Sequence, residues 1–584
     1  MKFKYLLYSL AAASVVSCGG QKPSDGEHVL HILTTNDVHG AWFDSTYVGG
    51  GVKNSLYAVK HYVDSVRNSV GAENVLLIDA GDCLQGDNGA YYFNYVDTET
   101  PHLFPRLVSY IGYDAVVVGN HDIETGHDVY DRITKELAEC DIPFLAGNAI
   151  RNDNGKKYFE YYKVFDRAGL KVLVLGYTNA NMSAWLTESL WSGMTFKSLL
   201  PLVQEDVDAV KAKVKPDVVI VAVHSGTGEG DGTMLESQGL DLYNSLTGVD
   251  AVITSHDHSA RTMVNDHTML INSGSHSRNL GHGVITAKVE GGKVVSIDRK
   301  SETIPVNAAM VDTRMRDTFH KDFEAVKAFT VRKVGELTED LKTRDAYAGM
   351  CGYVNLVHAI GLQFAELSLA APLTFNGTVT KGDLIYNDLF TIYPFENQLF
   401  VMEISGSELK NYLELSYDRW INTVSDLKAV AAGRSDEHVL KIRAGLDQRT
   451  GQKNWSFINR SYNFDSAAGI VYTVDLTKPY GSRIAIASMA DGSAFELEKM
   501  YKVAVTSYRS GGEQMKEGTG IEDTESRIVE RYPEYREMIY QYLEKNGKID
   551  PDAIAAQPNL GHWEFIPAED AAAAIARDMK LLFE

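Results

Sequence analysis

Polar side chains that can bind a metal ion close five apolar segments of this chain. The segments read TTNDVHG, IDAGD, VVVGNHD, VAVHSG and TSHDH. Each brings carboxylate, imidazole or amide groups, and mixed sets of such groups bind divalent transition metals. One histidine at the end of a strand is more often a hydrogen-bonded structural residue, so the signal is the recurrence of the pattern along the chain.

Seven of these side chains suffice for two metal shells that share one carboxylate. Asp82 is the natural bridge between the shells. The other ligands are, for one shell, Asp37, His39 and His258, and for the other, Asn120, His224 and His256. Such mixed ligands suit zinc, manganese, iron or cobalt better than calcium or magnesium. Two ions ~3.5–4 Å apart polarise a phosphoryl oxygen and activate water, so the predicted chemistry is phosphoester hydrolysis.

The elements that must position these ligands are predicted to be strands of a helix-flanked sheet. Apolar runs such as NVLLIDAGD and DVVIVAVHSG do not alternate with polar residues, which is typical of strands covered on both faces in a largely parallel sheet. Between two such runs, one face of an amphipathic helix is formed by Leu56, Val59, Val63, Val66 and Val70. The carboxyl ends of parallel strands share one edge, where remote residues meet.

The length of 584 residues predicts at least two domains. We assign residues 29–309 to the first domain, which includes a hairpin turning at Gly291-Gly292. Residues 310–345 are predicted to form a linker helix, because apolar side chains recur at helical spacing. These side chains are Met315, Phe319, Phe323 and Val326. Residues 346–584 form a second unit of the α+β class.

The net charge of −22 argues against a nucleic-acid polymer as a partner, because binding a phosphate backbone normally requires a basic face. A small phosphate ligand remains compatible with this charge when metal ions supply the positive charge. We therefore expect a small phosphoester as the substrate and a monomeric protein.

The first residues, MKFKYLLYSLAAASVVSC, are predicted to be a targeting segment. Two lysines precede an apolar run that is too short to span a bilayer, as in the core of a signal peptide. Its end resembles the lipobox of bacterial lipoproteins. The resemblance implies a signal peptide over 1–18, lipidation of Cys18, a flexible tether over 19–28 and a lipid-anchored protein in the periplasm or at the cell surface. An ordinary signal peptide with an incidental cysteine is the alternative.

The segments TTNDVHG, GD, GNHD and SHDH resemble those of calcineurin-like metallophosphoesterases. The chain after the tether resembles their secreted branch, the 5′-nucleotidases and 2′,3′-cyclic-nucleotide 2′-phosphodiesterase/3′-nucleotidases. The resemblance implies an α/β fold, a four-layer β-sandwich flanked by helices, followed by an α+β nucleotide-binding domain. It also implies that His121 binds the phosphate and that Asn120 also contacts the substrate. An acidic residue orients His121, and either Glu124 or Asp122 fits that role.

The resemblance places two aromatic rings around the base of a nucleotide. Phe395 in YPFEN and Tyr508 in TSYRSGG match their positions, although Tyr393 could replace Phe395, and Phe395 could be a core residue. Stacking is sequence-tolerant because every base has a π face. These residues predict nucleotides as substrates.

One segment departs from the pattern of 5′-nucleotidases. LSLAAPLTFNG lacks the arginine with which those enzymes grip the phosphate, and losing a bidentate arginine weakens selection for a terminal phosphate. We therefore expect hydrolysis of extracellular 5′- or 3′-nucleotides or of 2′,3′-cyclic nucleotides, for salvage of the nucleoside. The alternatives are a hydrolase for UDP-sugars or other esters, and a non-catalytic nucleotide-binding lipoprotein.

Overall fold

A computed structural model describes residues 22–395, 397–446 and 453–584. The first strands are β1 (Gly26–Thr35), β2 (Val75–Asp79), β3 (Ala115–Val117), β4 (Phe144–Leu145), β5 (Ala149–Arg151), β6 (Tyr162–Arg167), β7 (Leu170–Tyr177), β8 (Met194–Phe196), β9 (Val218–Val223), β10 (Ala251–Ile253), β11 (Arg261–Val264), β12 (Met269–Asn272), β13 (Asn279–Glu290) and β14 (Lys293–Pro305). The helices among them are α1 (Leu56–Val70), α2 (Asn88–Tyr91), α3 (Leu103–Ile111), α4 (Asn120–Glu124), α5 (His127–Glu139), α6 (Met182–Trp185), α7 (Leu199–Val214) and α8 (Gly239–Ser245).

Two six-stranded sheets of this domain pack face to face. Their strand orders are β14-β13-β1-β2-β3-β4 and β11-β12-β10-β9-β7-β6. Strands β1 to β4 are parallel, as are β7, β9, β10 and β12. Side chains such as Leu30, Ile78 and Ile220 fill the space between the sheets. Helices α1, α3 and α5 cover one outer face and α7 and α8 the other, which confirms the predicted four-layer α/β fold.

Helix α1 follows from its sequence. The Ser55 side chain caps the helix by accepting a hydrogen bond from the backbone of its first turn, and Gly71 ends it with a φ of 90°, a backbone conformation that glycine adopts without steric cost. A cap of this kind contributes about 1 kcal/mol. Leu56, Val59 and Val63 are buried against the first sheet, as their spacing predicts.

The ends of the first domain confirm one prediction and correct another. The β13–β14 hairpin turns at Gly291 and Gly292, whose φ values are 61° and 69°. In contrast, the tether predicted over 19–28 is wrong at its end, because β1 begins at Gly26 and His28 pairs with Ala287 of β13. The long β13 strand supplies hydrogen-bond partners for residues 26–28, so the first domain begins before residue 29. The predicted signal peptide and Cys18 lie outside the described residues.

The linker helix predicted over 310–345 is also wrong in its extent. Two helices, α9 (Thr313–Thr318) and α10 (His320–Thr330), meet at Phe319, and the chain then enters strand β15 (Lys333–Leu337). Strand β15 pairs with the later strand Gly382–Ile385 and with the strand Lys548–Ile549 near the C-terminus. These non-local pairings override the local helical spacing, which sequence alone does not reveal.

The second domain is of the α+β class, as predicted. Its further strands are β16 (Leu341–Lys342), β17 (Leu367–Ala370), β18 (Thr378–Val379), β19 (Gly382–Ile385), β20 (Gln398–Ser405), β21 (Ile442–Leu446), β22 (Lys453–Phe457), β23 (Ser466–Ala468), β24 (Ile470–Asp475), β25 (Ile484–Met489), β26 (Met500–Thr506), β27 (Ile528–Glu534), β28 (Lys548–Ile549) and β29 (Gly561–Ile566). Its helices are α11 (Gly352–Gly361), α12 (Tyr386–Ile392), α13 (Gly406–Trp420), α14 (Leu427–Ala431), α15 (Ser507–Gly511), α16 (Glu513–Thr519), α17 (Tyr535–Asn546), α18 (Pro551–Ala555) and α19 (Ala568–Phe583).

A central sheet of order β23-β17-β26-β20-β27 organises the second domain. Its contact with the first domain includes Tyr91, whose ring lies 6.2 Å from Phe329 of α10 and 5.7 Å from Tyr386 of α12. Asn88 donates a hydrogen bond to Asn387 across the same contact, at 3.1 Å. Within the described ranges, no helix is both long and apolar enough to cross a bilayer.

Candidate active site

The candidate ligands occupy strongly turned backbone at the carboxyl ends of the strands. The φ angles are 49° at Asp37 and 47° at His39 after β1, 61° at Asp82 after β2, and 69° at His256 and 56° at His258 after β10. Non-glycine residues adopt this left-handed conformation uncommonly, and strained backbone of this type costs about 1–3 kcal/mol per residue. Its concentration at one edge of the two sheets marks this edge as a functional site.

The first group of ligand atoms consists of Asp37, His39 and His258. The Nε2 atoms of the two histidines are 2.9 Å apart, and Asp37 Oδ1 lies 3.9 Å from the first and 3.5 Å from the second. Asp37 Oδ2 accepts hydrogen bonds from Asn36 and from the backbone of His256. In contrast, the buried Oδ1 has no hydrogen-bond partner among the described residues, as expected of an oxygen that holds a cation.

The second group combines Asp82, His224 and His256 with the Asn120 amide. His224 Nδ1 lies 2.8 Å from the Ala80 carbonyl oxygen and donates to it, so a neutral His224 carries a lone pair on Nε2. That atom lies 3.1 Å from Asp82 Oδ2 and 3.0 Å from Asn120 Oδ1. His256 Nδ1 lies 2.9 Å from the same amide oxygen. Acceptor atoms this close repel one another unless a cation or a proton lies between them.

The donor sets fit divalent transition metals. Both groups mix imidazole nitrogen with carboxylate or amide oxygen, and the hydrogen bond from His224 to Ala80 is the outer partner that metal-bound histidines usually have. The seven predicted ligands lie at this one edge, divided as the sequence predicts. The structure places Asp82 with the second group.

Asp122 holds the turns that carry these ligands. Its Oδ2 accepts from the backbone N–H groups of Gly119 and Asp82, at 2.8 and 3.0 Å, and its Oδ1 accepts from Cys83 and Leu84, at 2.9 and 3.0 Å. The approach is close enough that a Cβ atom at Gly119 would lie 2.1 Å from Asp82 Oδ1. The fully buried Asp122 carboxylate therefore joins the turn after β2 to the turn after β3.

Glu124 is the carboxylate that orients His121. Its Oε2 lies 2.6 Å from His121 Nδ1 and also accepts a hydrogen bond from Gln85, at 2.9 Å. Asp122 uses its oxygens on backbone groups, so the geometry favours Glu124 where the sequence left both open. The His121 ring lies 5.4 Å from that of His39 and belongs to neither ligand group. It stands beside the metal centre as a separate polar group.

Burial and mutual charge set the protonation of the ligands. Burial raises the pKa of Asp37. Burial alone would lower the pKa of His224, but the Asp82 carboxylate outweighs it and raises this pKa to about 9. Burial alone would raise the pKa of Asp82, but the charges of His224 and His121 hold it well below its usual range. The metal-free centre therefore retains protons that a metal ion must displace.

A cavity of about 560 Å³ extends from the ligands into the second domain. Phe395 and Tyr508 line its far end and are 40% and 53% exposed. The Tyr462 ring lies 6.1 Å from each and nearly perpendicular to both, at 81° and 88°. Tyr393 is fully buried and stacks on Tyr535 at 5.1 Å. Phe395 is therefore the ring presented to the cavity, and Tyr393 is the core residue.

The wall between these ends is apolar. It is formed by Leu369, Ala370, Ala371 and Leu373, which belong to the segment that lacks the expected arginine. Arg509 also lines the cavity but is buried and pairs with Asp465 at 2.8 Å. The second domain thus offers a largely apolar surface toward the metal centre.

Two residues of the site were missed by the sequence analysis. His276 lines the cavity, and its ring lies 5.3 Å from that of His39. It follows β12 as closely as His39 follows β1, but the sequence analysis did not identify the run MLIN as a strand. Trp185 of α6 stacks on His256 at 5.1 Å, and a tryptophan in a short helix gives no sequence signal for such a role.

Comparison with protein families agrees with this geometry. Residues 30–260 match the calcineurin-like phosphoesterase family, and residues 333–517 match the 5′-nucleotidase C-terminal domain. The chain is a calcineurin-like phosphoesterase with a 5′-nucleotidase C-terminal domain. The family is one of metal-dependent phosphoester hydrolases.

Relatives of this phosphoesterase extend over most of its length. It is 23% identical to the trifunctional nucleotide phosphoesterase protein of Bacillus subtilis over 90% of this chain, but it spans only 38% of that protein. It is 22% identical to the 2′,3′-cyclic-nucleotide 2′-phosphodiesterase/3′-nucleotidase of Salmonella typhimurium, over 77% of this chain and 74% of the relative. The structure of a Staphylococcus aureus protein in complex with alpha-ketoglutarate has the same fold, with a TM-score of 0.71 and 19% sequence identity. The match covers 92% of this chain and 99% of that one.

Replacing Asp122 by asparagine should weaken metal binding by roughly 10- to 100-fold and lower the free energy of unfolding by about 1–3 kcal/mol. The amide NH2 would face backbone N–H groups that now donate to a carboxylate oxygen. Metal content after dialysis against a chelator and thermal unfolding measure the two effects. Asp128→Asn, at an exposed carboxylate of α5, is the matched control. Undiminished metal retention in Asp122→Asn would contradict the assigned role.

Metal binding should release protons at pH 7. His224, with a pKa of about 9, is protonated in the metal-free protein at this pH, and the raised pKa of Asp37 acts in the same direction. Both ligands must lose their protons to bind a cation, so affinity should fall as the pH falls. Calorimetry in two buffers of different ionisation enthalpy should give roughly one to two protons released per protein at pH 7 and fewer above pH 9. Zero release at pH 7 would contradict these shifts.

Proposed function

We propose that this phosphoesterase hydrolyses nucleotides while anchored to a bacterial membrane by a lipid. The observation that carries the proposal is that one cavity is lined both by His39 and His258 of the first ligand group and by two exposed aromatic rings of the second domain. A nucleotide has the matching form, with a phosphoester at one end and a flat base at the other. Stacking on Phe395 and Tyr508 contributes roughly 1–3 kcal/mol per base.

The residues of the site would have separate roles in hydrolysis. Asp37, His39 and His258 would hold one divalent cation, and Asp82, Asn120, His224 and His256 a second. When bound, the cations would supply Lewis-acid polarisation of the phosphoester and activation of water. Glu124 orients His121 through Nδ1, and the His121 ring would contact the phosphoryl group and stabilise charge on the leaving oxygen. The apolar wall excludes water from the region between the base and the phosphate.

We propose a broad choice of phosphate position, with 2′,3′-cyclic nucleotides included. Three observations support this breadth. Leu369 and Leu373 stand on the wall where an arginine would select a terminal phosphate, and Arg509 is committed to Asp465. In addition, one relative is named for cyclic nucleotides and another is named trifunctional. Released nucleoside and phosphate would serve salvage outside the cytoplasm.

We also propose that Cys18 carries the lipid. The support is the signal-like sequence before it and its resemblance to a lipobox. The location would then be the periplasm or the cell surface, with the protein acting as a monomer. Fractionation of cells producing the full chain should find it in the membrane, and Cys18→Ala should release it. A Cys18→Ala protein that stays in the membrane fraction would oppose this assignment.

The activity is tested with the chain from Gly19 onward, loaded with Mn²⁺ or Zn²⁺. We expect phosphate release from AMP and 3′-AMP and ring opening of 2′,3′-cyclic AMP, with slower turnover of UDP-glucose. His121→Ala should lower kcat by roughly 10²–10⁴-fold, the usual size of a general-acid contribution, while both metal ions remain bound. His267→Ala, at an exposed histidine, should leave the rates unchanged.

Three results would contradict the proposal. Tight AMP binding without turnover would favour a binding protein. Preference for UDP-glucose would move the substrate to another class. Undiminished turnover by His121→Ala would remove the role of that residue.

A further inference from the structure

The backbone of His276 has the same left-handed conformation as that of the metal ligands that follow β1, β2 and β10. Its φ is 55°, a conformation that costs a histidine free energy. Its backbone N–H donates to the carbonyl oxygen of Asp37 at 2.8 Å, so the position of one residue fixes that of the other. The turn that holds His276 is therefore built onto the turn that carries the first ligand group.

The His276 ring faces this group without joining it. Its centroid lies 5.3 Å from that of His39 and 5.9 Å from that of His258, yet it is in neither set of converging ligand atoms. Nδ1 lies 3.0 Å from the Ser275 hydroxyl. Nε2 has no hydrogen-bond partner within the described part of the chain. A Ser275 hydroxyl that donates to Nδ1 leaves the proton on Nε2.

Two hydrogen-bond donors of the cavity are engaged with carboxylates. Arg509 pairs with Asp465, and Gln85 donates to Glu124. The facing wall of the second domain is apolar where an arginine would be expected. His276 thus brings to the metal end of the cavity, on the side of the first ligand group, a ring nitrogen that carries a proton when Ser275 donates to Nδ1.

We propose that His276 is a phosphate-binding residue, whose Nε2–H donates to a non-bridging phosphoryl oxygen. The inference rests on the proposed function for the identity of the phosphoester, but it concerns the anion itself. The second domain lacks an arginine that would bind the phosphate. His276, in the first domain, supplies part of this recognition. A neutral donor binds the phosphate without the bidentate geometry of an arginine, so it is compatible with more than one phosphate position.

The test measures the binding of inorganic phosphate to the zinc-loaded protein by calorimetry. His276→Gly removes the imidazole and tolerates the φ of 55°, so the loss of the donor is separated from backbone strain. The dissociation constant for phosphate should rise about tenfold or more, as expected for a hydrogen bond to a charged group. His276→Asn also tolerates this φ and retains an amide donor, and it should show a smaller rise.

Two further measurements make the result specific. Adenosine should bind to His276→Gly within twofold of the wild type, and both zinc ions should remain bound. His267→Gly, the same change at an exposed histidine, should alter none of these values. The proposal is overturned if phosphate affinity is unchanged in His276→Gly, or if adenosine or zinc binding is lost with it, since the residue would then be structural. Phosphate binding is measured without turnover, so this outcome is independent of whether nucleotides are hydrolysed.

Discussion

The site depends on positive charge, from metal ions or bound protons, among the ligand atoms that the fold buries at one edge of two sheets. Imidazole lone pairs and carboxylate and amide oxygens approach to about 3 Å around His224 and Asn120. Such an arrangement is unfavourable unless positive charge occupies it. Several features of the chain hold it in place, including left-handed turns at the ligands and the Asp122 carboxylate that ties two turns together. A chain under selection for stability alone would replace these groups by apolar ones.

In the proposed function, the second domain would bind the nucleoside part of a substrate whose phosphoester lies at the metal centre. Its cavity wall is apolar, and its exposed rings lie at the far end from the metals. The contact between domains is made in part by α6, where a Cβ atom at Gly511 would lie 2.6 Å from the Ala184 carbonyl oxygen. Helix α15, which begins beside Tyr508, is thus packed against the segment whose Trp185 stacks on His256. The segments that carry Tyr508 and Trp185 are in contact at this point.

The sequence predicted the features that depend on the local pattern of residues and on the convergence of parallel strands at one edge of a sheet. The helix from Leu56 to Val70, the grouping of the metal ligands and the choice of aromatic positions all follow from residue type and spacing or from family resemblance. The extent of the linker helix does not follow from the local sequence, because the chain leaves the helix to form β15, which pairs with strands remote in sequence. The choice of Glu124 over Asp122 also needs coordinates, since both carboxylates are near His121 in sequence. His276 was missed because the short strand Met269–Asn272 that precedes it was not identified from the sequence.

The central claim is that the two converging groups hold two metal ions. Anomalous diffraction from crystals grown with Mn²⁺ or Zn²⁺ tests it most directly. The account predicts two peaks ~3.5–4 Å apart, one against Asp37, His39 and His258 and the other against Asn120, His224 and His256, with Asp82 between them. Full occupancy at a different place, or a single ion with one group left empty at saturating metal, would contradict it.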